Sequence, residues 1–309
     1  MISLIAFLLP LLLWDKGPES TDQLQRAQIR QIAVPVNLAK SWQMSKNISV
    51  TVTDLKQLTT VPQPSLTFNA QVSSATRAPW VNQNGWRFLR QPQGSYVYDA
   101  KGEGSLLAAA EAFAYGVRAY IRTDEAGLQP LGRMLAFLSG IEGRKMNPEI
   151  NIGFIDDGSP ESGEFMNLLI RRNLLVKVVQ HPDPKLDLNV ALGQRDYPRA
   201  EAGNPKLLAE KVRAHLTDEK RLLRIYGSEV VIGRLLGDRS TARLFLINYG
   251  AAKSPVHGLR IRVRGGYSKV NAVQFGDAQC RLTDVLTESD ATEFTLPELG
   301  TFAIIDLAD

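Results

Sequence analysis

Near Asp218 the hydrophobic rhythm of this 309-residue chain changes. Beyond that point no helical period survives. Leu222–Tyr226, Glu229–Leu236, Ala242–Tyr249, Leu259–Arg264, Lys269–Phe275, Glu293–Leu296 and Phe302–Leu307 read as strands, separated by Gly237-Asp238, Gly250, Gly265-Gly266 and Pro297. Short strands with turn residues at such spacing argue for an antiparallel sandwich. In the segment GLRIRVRG, Arg260, Arg262 and Arg264 share one face by the two-residue period, and Leu259, Ile261 and Val263 share the other. The basic face reads as a solvated one rather than an anion-binding stripe.

Before Asp218 the grammar differs. Ser105–Tyr115 is rich in helix formers, with Ser105 placed as a cap and Gly116 as the stop. Val117–Arg122 then reads as a strand, Leu128–Leu138 as a helix, Ile150–Ile155 as a buried strand, Glu161–Asn173 as a helix, and Leu174–Val179 and Leu186–Leu192 as further strands. Pro205–Leu216 closes the series as a helix, with Asn204 as its cap. Helices alternating with short apolar strands imply a largely parallel sheet covered on both faces, an α/β domain. Upstream, Asn47–Thr53 and Ser65–Ala70 alternate as half-buried strands do, and Pro62, Pro64, Pro79 and Pro92 exclude long helices. The expected organisation is 1–20 as leader or anchor, 21–100 as a β-leaning region, 101–217 as the α/β domain and 218–309 as the β-sandwich.

Composition narrows the function classes. The net charge of +4 is not gathered into Lys/Arg blocks that would follow a phosphate backbone, so nucleic acid is not the expected partner. Cys280 stands alone, and His181, His215 and His257 have no second ligand at short spacing, so neither a disulfide nor a metal site is expected. No cofactor is implied: the chain carries no G-x-S-x-G elbow, phosphate loop or dinucleotide fingerprint. Lys101-Gly102-Glu103-Gly104-Ser105 is glycine-rich ahead of a helix, yet reads as a connector more readily than as an anion cradle. Glu111, alone in its apolar helix, has two readings, a buried acid and, more usual for such a residue, a place on the solvated edge. The opening run Met1–Trp14 is uncharged, apolar and short of a membrane span, which points to a signal peptide or tether and to an extracytoplasmic protein, secreted, periplasmic or membrane-anchored.

Two stretches carry candidate chemistry. Gly153–Phe165, GFIDDGSPESGEF, places Asp156 and Asp157 where a strand ends and Ser159-Pro160 opens a helix. This is the carboxyl edge of the sheet, where open α/β folds hold ligands. Three readings stand: a structural turn, a ligand-binding edge, and a catalytic carboxylate pair. The second stretch, Ala78–Arg87, sets Trp80 and Trp86 among Asn82, Asn84 and Arg87. Indole faces suit the C–H surfaces of sugar rings, and amides suit their hydroxyls. The bland alternative is that both indoles plug a core.

Taken in order, AEAFAYG (Ala110–Gly116), IGFIDDGS (Ile152–Ser159), RLFLINYG (Arg243–Gly250) and TLPELGTFAIIDL (Thr295–Leu307) resemble the C-terminal part of multidomain glycoside hydrolases of the β-galactosidase type. In those enzymes a catalytic barrel precedes an amidotransferase-like α/β domain and a β-sandwich. The resemblance spans Ser105–Leu307 and implies a doubly wound, flavodoxin- or amidotransferase-like parallel sheet, followed by an antiparallel β-sandwich, with carbohydrate as the partner. It carries over no catalytic glutamate, because the residues before Ser105 are too few for a barrel of about 250. It carries over no glutaminase Cys–His pair either, since Cys280 lies in the sandwich. The expected function is glycan recognition or support of glycan processing, with Trp80, Asn82, Asn84, Trp86, Arg87, Asp156 and Asp157 as contacts. The alternatives are a glycosidase using Asp156 or Asp157 with a second acid such as Glu103, and a structural cell-envelope protein.

Overall fold

The computed structural model describes residues 8–43, 47–68, 79–144, 146–237, 240–277 and 279–309. Met1–Phe7 of the apolar run, Asn69, Ala70, Ala78 and Asp238 lie outside them. The chain packs as two units, one of Ile5–Ser65 with Gln91–Lys145, the other chiefly of Leu66–Arg90 with Met146–Asp309.

In chain order, strands β1 (Leu11–Leu13), β2 (Gln31–Pro35), β3 (Ser49–Thr53) and β4 (Thr59–Val61) are followed by β5 (Ser65–Phe68) and β6 (Pro79–Asn82), then by β7 (Ser95–Ala100) and β8 (Arg118–Thr123). The first unit holds one parallel sheet, ordered β3-β2-β1-β8-β7-β4. The β7–β8 pairing joins residues on either side of the boundary expected at residue 100. Strand β1 is central: Leu12 pairs with both Ile32 and Ile121, and Leu12, Leu13 and Trp14 are buried. Leu11–Trp14, the end of the apolar run, thus lie within this sheet and its core. No helix among the described residues is long and apolar enough to cross a membrane.

The sheet must curl. Only Asp54–Leu58 joins β3 to β4, which lie at opposite edges. Six steps of chain reach at most about 21 Å, whereas five strand spacings in a flat sheet already span about 24 Å. Curling shortens the path and brings Leu58 onto the face formed by Leu11, Leu13, Ala33, Val97 and Tyr120, which pack together.

Helices α1 (Thr21–Arg26), α2 (Gly85–Arg90), α3 (Gly104–Tyr115) and α4 (Glu125–Ser139) come next. Helix α3 ends on Gly116 at φ 63, the left-handed stop read from the sequence. Its start differs: the helix begins at Gly104, and the Ser105 hydroxyl donates to the carbonyls of Gly102 and Gly127 instead of capping. Glu111 is fully buried, not on a solvated edge, and accepts a 2.7 Å hydrogen bond from the Tyr98 hydroxyl.

The second unit begins with the small β5–β6 sheet and α2, then a parallel sheet of β9 (Ile152–Ile155), β10 (Val176–Val179) and β11 (Leu188–Ala191), ordered β10-β9-β11. Helices α5 (Pro160–Arg171) and α6 (Pro205–Leu216) pack against each other beside it, capped by Ser159 and Asn204. Strands β12 (Leu223–Tyr226), β13 (Val231–Gly237), β14 (Thr241–Asn248), β15 (Val256–Arg264), β16 (Lys269–Gln274), β17 (Thr283–Thr287), β18 (Ala291–Leu299) and β19 (Phe302–Ala308) form two four-stranded antiparallel sheets. Their facing sides share one core that includes Leu223, Leu244, Ile261, Phe294 and Ile305. The chain is thus an α/β protein with parallel sheets and helices, ending in an antiparallel β-sandwich. Strand β17 escaped the sequence reading because all five of its residues are exposed, leaving no alternation to detect.

Candidate functional site

The two stretches singled out from the sequence come together within the second unit, against one face of α5. Strand β6 delivers Trp80, which is 39% exposed. The Arg171 guanidinium lies over its ring at 4.0 Å from the centroid and donates through Nη2 to the Pro79 carbonyl at 3.0 Å. Asn82 donates to Thr67 Oγ1 at 3.4 Å, across the β5–β6 pair. Gln83 and Asn84 then turn inward and are buried. Gln83 Nε2 donates to Asn167 Oδ1 at 2.8 Å, the Gly85 amide donates to Gln83 Oε1, and Asn84 Oδ1 accepts from Arg87 Nη1 at 3.1 Å. These amides anchor the loop to α5; they are scaffold more than open contacts.

Trp86 is half-buried rather than a core plug. Arg87 and Arg90 both lie over its ring, at 4.2 and 5.0 Å. Its edge presses on α5 at Gly163, where a Cβ would stand 2.7 Å from Trp86 Cζ3. Arg90 then reaches the sheet edge, donating from Nε and Nη2 to Asp156 at 2.7 and 2.8 Å and from Nη2 to the Ser159 carbonyl at 2.7 Å. Trp86 and Asp156 are therefore linked through one guanidinium.

Asp157 belongs to a different set of contacts. Its Oδ1 accepts from the Ser159 amide at 3.0 Å and hydroxyl at 2.6 Å, and its Oδ2 accepts from Arg199. Partial burial pushes its pKa up, but the hydrogen bonds from Ser159, Ser162 and Arg199 outweigh that and hold the carboxyl well below the usual range. Adjacent residues leaving a strand point to opposite sides, which is why the two aspartates take separate arginines and share no proton.

The α5 face adds residues that sequence reasoning missed. Glu164, Asn167 and Arg171 recur at i, i+3 and i+7, so one stripe of the helix carries all three. Asn167 Nδ2 donates to both Glu164 oxygens, at 3.3 and 3.2 Å, while its Oδ1 takes Gln83. Burial raises the Glu164 pKa, against Asn167, Arg171 and Arg87, which lower it. Burial likewise lowers the pKa of Arg171, with Glu164 and Glu229 opposing and Arg172 reinforcing. The detectable signal was that stripe of polar residues in a helix otherwise rich in buried side chains.

Other sequence features resolve into structure. In the first unit, the Lys101 and Gly102 amides of the glycine-rich loop already donate to Gln63 and Asp124, which leaves neither for an anion. Glu103, in the same unit, sits 4.0 Å from Arg133. On the sandwich, Arg260 pairs with Glu293, Arg262 with Asp290 and Glu293, and Arg264 with Asp187, so the basic stripe is a neutralised face. No group of three or more metal-ligating side chains gathers among the described residues.

No family model matches this chain, and no curated protein does. Solved structures do. Alpha-L-fucosidase isoenzyme 2 from Paenibacillus thiaminolyticus superposes over 70% of this chain and 60% of its own, at 8% identity and a TM-score of 0.56. Two β-galactosidases, Gan42B of the GH42 class from G. stearothermophilus and the enzyme of Rahnella sp. R3, cover 97% of this chain at TM-scores of 0.40 and 0.38 and identities of 7% and 12%. The chain spans about three fifths of the length of each of these three structures. At 8% identity, the likeness to the fucosidase is one of fold alone.

Proposed function

We propose that this chain recognises carbohydrate, through the surface that Trp80 presents beside Arg171 and Asn82, and that it does so outside the cytoplasm. The observation that carries this reading is a half-exposed indole with the Arg171 guanidinium over its ring, on a strand that also carries the Asn82 amide. A sugar ring needs such a combination: an apolar plane for its C–H face and directional partners for its hydroxyls. Fold similarity to a structure named for α-L-fucosidase activity supports a glycan ligand, though fold alone does not assign function. Trp80 is the platform in this proposal; Trp86, Asn84, Arg87 and Asp156 position it by fixing the loop to α5. Asp157 extends the site along the sheet edge.

The test is a glycan array probed with the wild-type chain and with Trp80→Ala and Trp86→Ala. Binding should fall to background for Trp80→Ala and weaken for Trp86→Ala. Binding unchanged by Trp80→Ala would remove the platform from the site. Extracytoplasmic placement is tested separately, by fractionation and N-terminal sequencing of the mature chain.

One observation favours a second reading, glycoside hydrolysis: burial holds the Glu164 carboxyl toward its protonated form, as a general acid requires. Asp156 and Asp157 are each paired with an arginine, Arg90 and Arg199. Release of reducing sugar that is lost in Glu164→Gln supports hydrolysis; binding without turnover supports recognition alone.

A further inference from the structure

We infer that the glycan taken by this surface is anionic, a saccharide bearing carboxylate or sulfate groups, with Arg171 as the charge-reading residue and Trp80 as the stacking plane. This rests on the carbohydrate reading above and names its ligand class.

Charge in the cluster is unevenly matched. Arg90 has its fork filled, by both oxygens of Asp156 and by the Ser159 carbonyl. Arg171 does not: Nη2 donates to the Pro79 carbonyl, while Nε and Nη1 are shielded from water and have no hydrogen-bond partner among the described residues. Its nearest compensation is Glu164, which also interacts with Arg87 and is tied to Asn167. Glu229 compensates Arg171 only through space, and neither carboxylate fills the Nε and Nη1 positions. A half-buried cation with spare donors gains more from an incoming anion than from a neutral hydroxyl, because charge-assisted hydrogen bonds are the stronger.

The geometry suits a sugar better than a free anion. The Arg171 guanidinium lies over the Trp80 ring at 4.0 Å from its centroid, so an acidic group that reaches the guanidinium sets the attached ring beside the indole. Arginine's planar fork matches carboxylate and sulfate alike. Because Nε and Nη1 are shielded from water, Arg171 must move outward on binding, whereas part of Trp80 is already exposed.

The experiment is titration calorimetry of the full chain with three probes: an oligogalacturonide, its methyl ester, and a heparin oligosaccharide of similar length. Wild type should bind at least one acidic probe about tenfold more tightly than the ester, the value of one charge-assisted hydrogen bond. Arg171→Gln should bring acid and ester to equal affinity, and raising salt should weaken the acid alone. Arg171→Lys, which keeps the charge with less disturbance, should retain part of the preference. Preference for the oligogalacturonide assigns a carboxylate ligand, and preference for heparin a sulfate ligand. Wild type that binds neither acidic probe more tightly than the ester overturns the anionic inference and leaves the carbohydrate reading standing. Binding of none of these, together with an empty glycan array, overturns both.

Discussion

Arg90 grips Asp156 through two parallel hydrogen bonds, Nε to Oδ2 at 2.7 Å and Nη2 to Oδ1 at 2.8 Å, across 66 residues of chain. The same guanidinium covers the Trp86 ring. One side chain therefore fixes the tryptophan loop to the sheet edge, which makes the proposed binding surface a consequence of tertiary packing.

That link is measurable by a double-mutant cycle with Arg90→Lys and Asp156→Asn. Both side chains are largely buried, so coupling should be about 1–3 kcal/mol by urea denaturation, above the range of an exposed pair. Coupling near zero would mean that the two groups do not hold each other in solution.

Gly163→Ala tests the contact between Trp86 and α5. Alanine raises helix propensity by about 1 kcal/mol, but its Cβ would meet Trp86 Cζ3 at 2.7 Å and Arg90 Nη1 at 3.2 Å. Overpacking should win and destabilise by about 1–3 kcal/mol. A more stable variant would show that Trp86 yields freely.

Asp157 gives a pH signature. Its folded pKa is depressed, so its stabilising contribution is complete above the unfolded carboxyl value of about 3.9 and is lost as pH falls toward the folded value. The stability difference between wild type and Asp157→Asn should be flat above about pH 5 and shrink steadily below it. A difference that grows on acidification contradicts the ionised, hydrogen-bonded carboxylate.

In the first unit, Leu12→Ala should cost about 2–5 kcal/mol, because Leu12 is fully buried in a central strand. If a leader is processed, N-terminal sequencing should place the cleavage before Leu11. A mature chain that starts after Trp14 and stays folded would show that β1 is dispensable.

The sandwich was legible because core-facing residues alternate in strands such as β15, with Leu259, Ile261 and Val263, and because glycines mark its turns. Helix ends were legible at Gly116, Ser159 and Asn204, where a local backbone requirement selects the residue type. The strand Leu11–Leu13 was hidden, since an apolar run carries the same pattern in a leader as in a buried strand. Trp80, Trp86 and Asp156 were readable one by one, but Arg90, Glu164 and Arg171 were not. Their importance lies in contacts with residues dozens of positions away, which no local period encodes. Asp156 and Asp157 looked like a pair in sequence, and the strand's alternation sent them to separate arginines.

The most direct test uses the four indoles of the chain as reporters. Trp14 and Trp42 are buried, their Nε1 groups donating to Ser20 and to the Lys16 carbonyl, whereas Trp80 is half-exposed. In a two-dimensional NMR titration with an acidic oligosaccharide, the Trp80 indole resonance should shift in a saturable way, Trp86 less, and Trp14 and Trp42 not at all. A saccharide that binds while the Trp80 resonance stays in place would contradict the proposed surface.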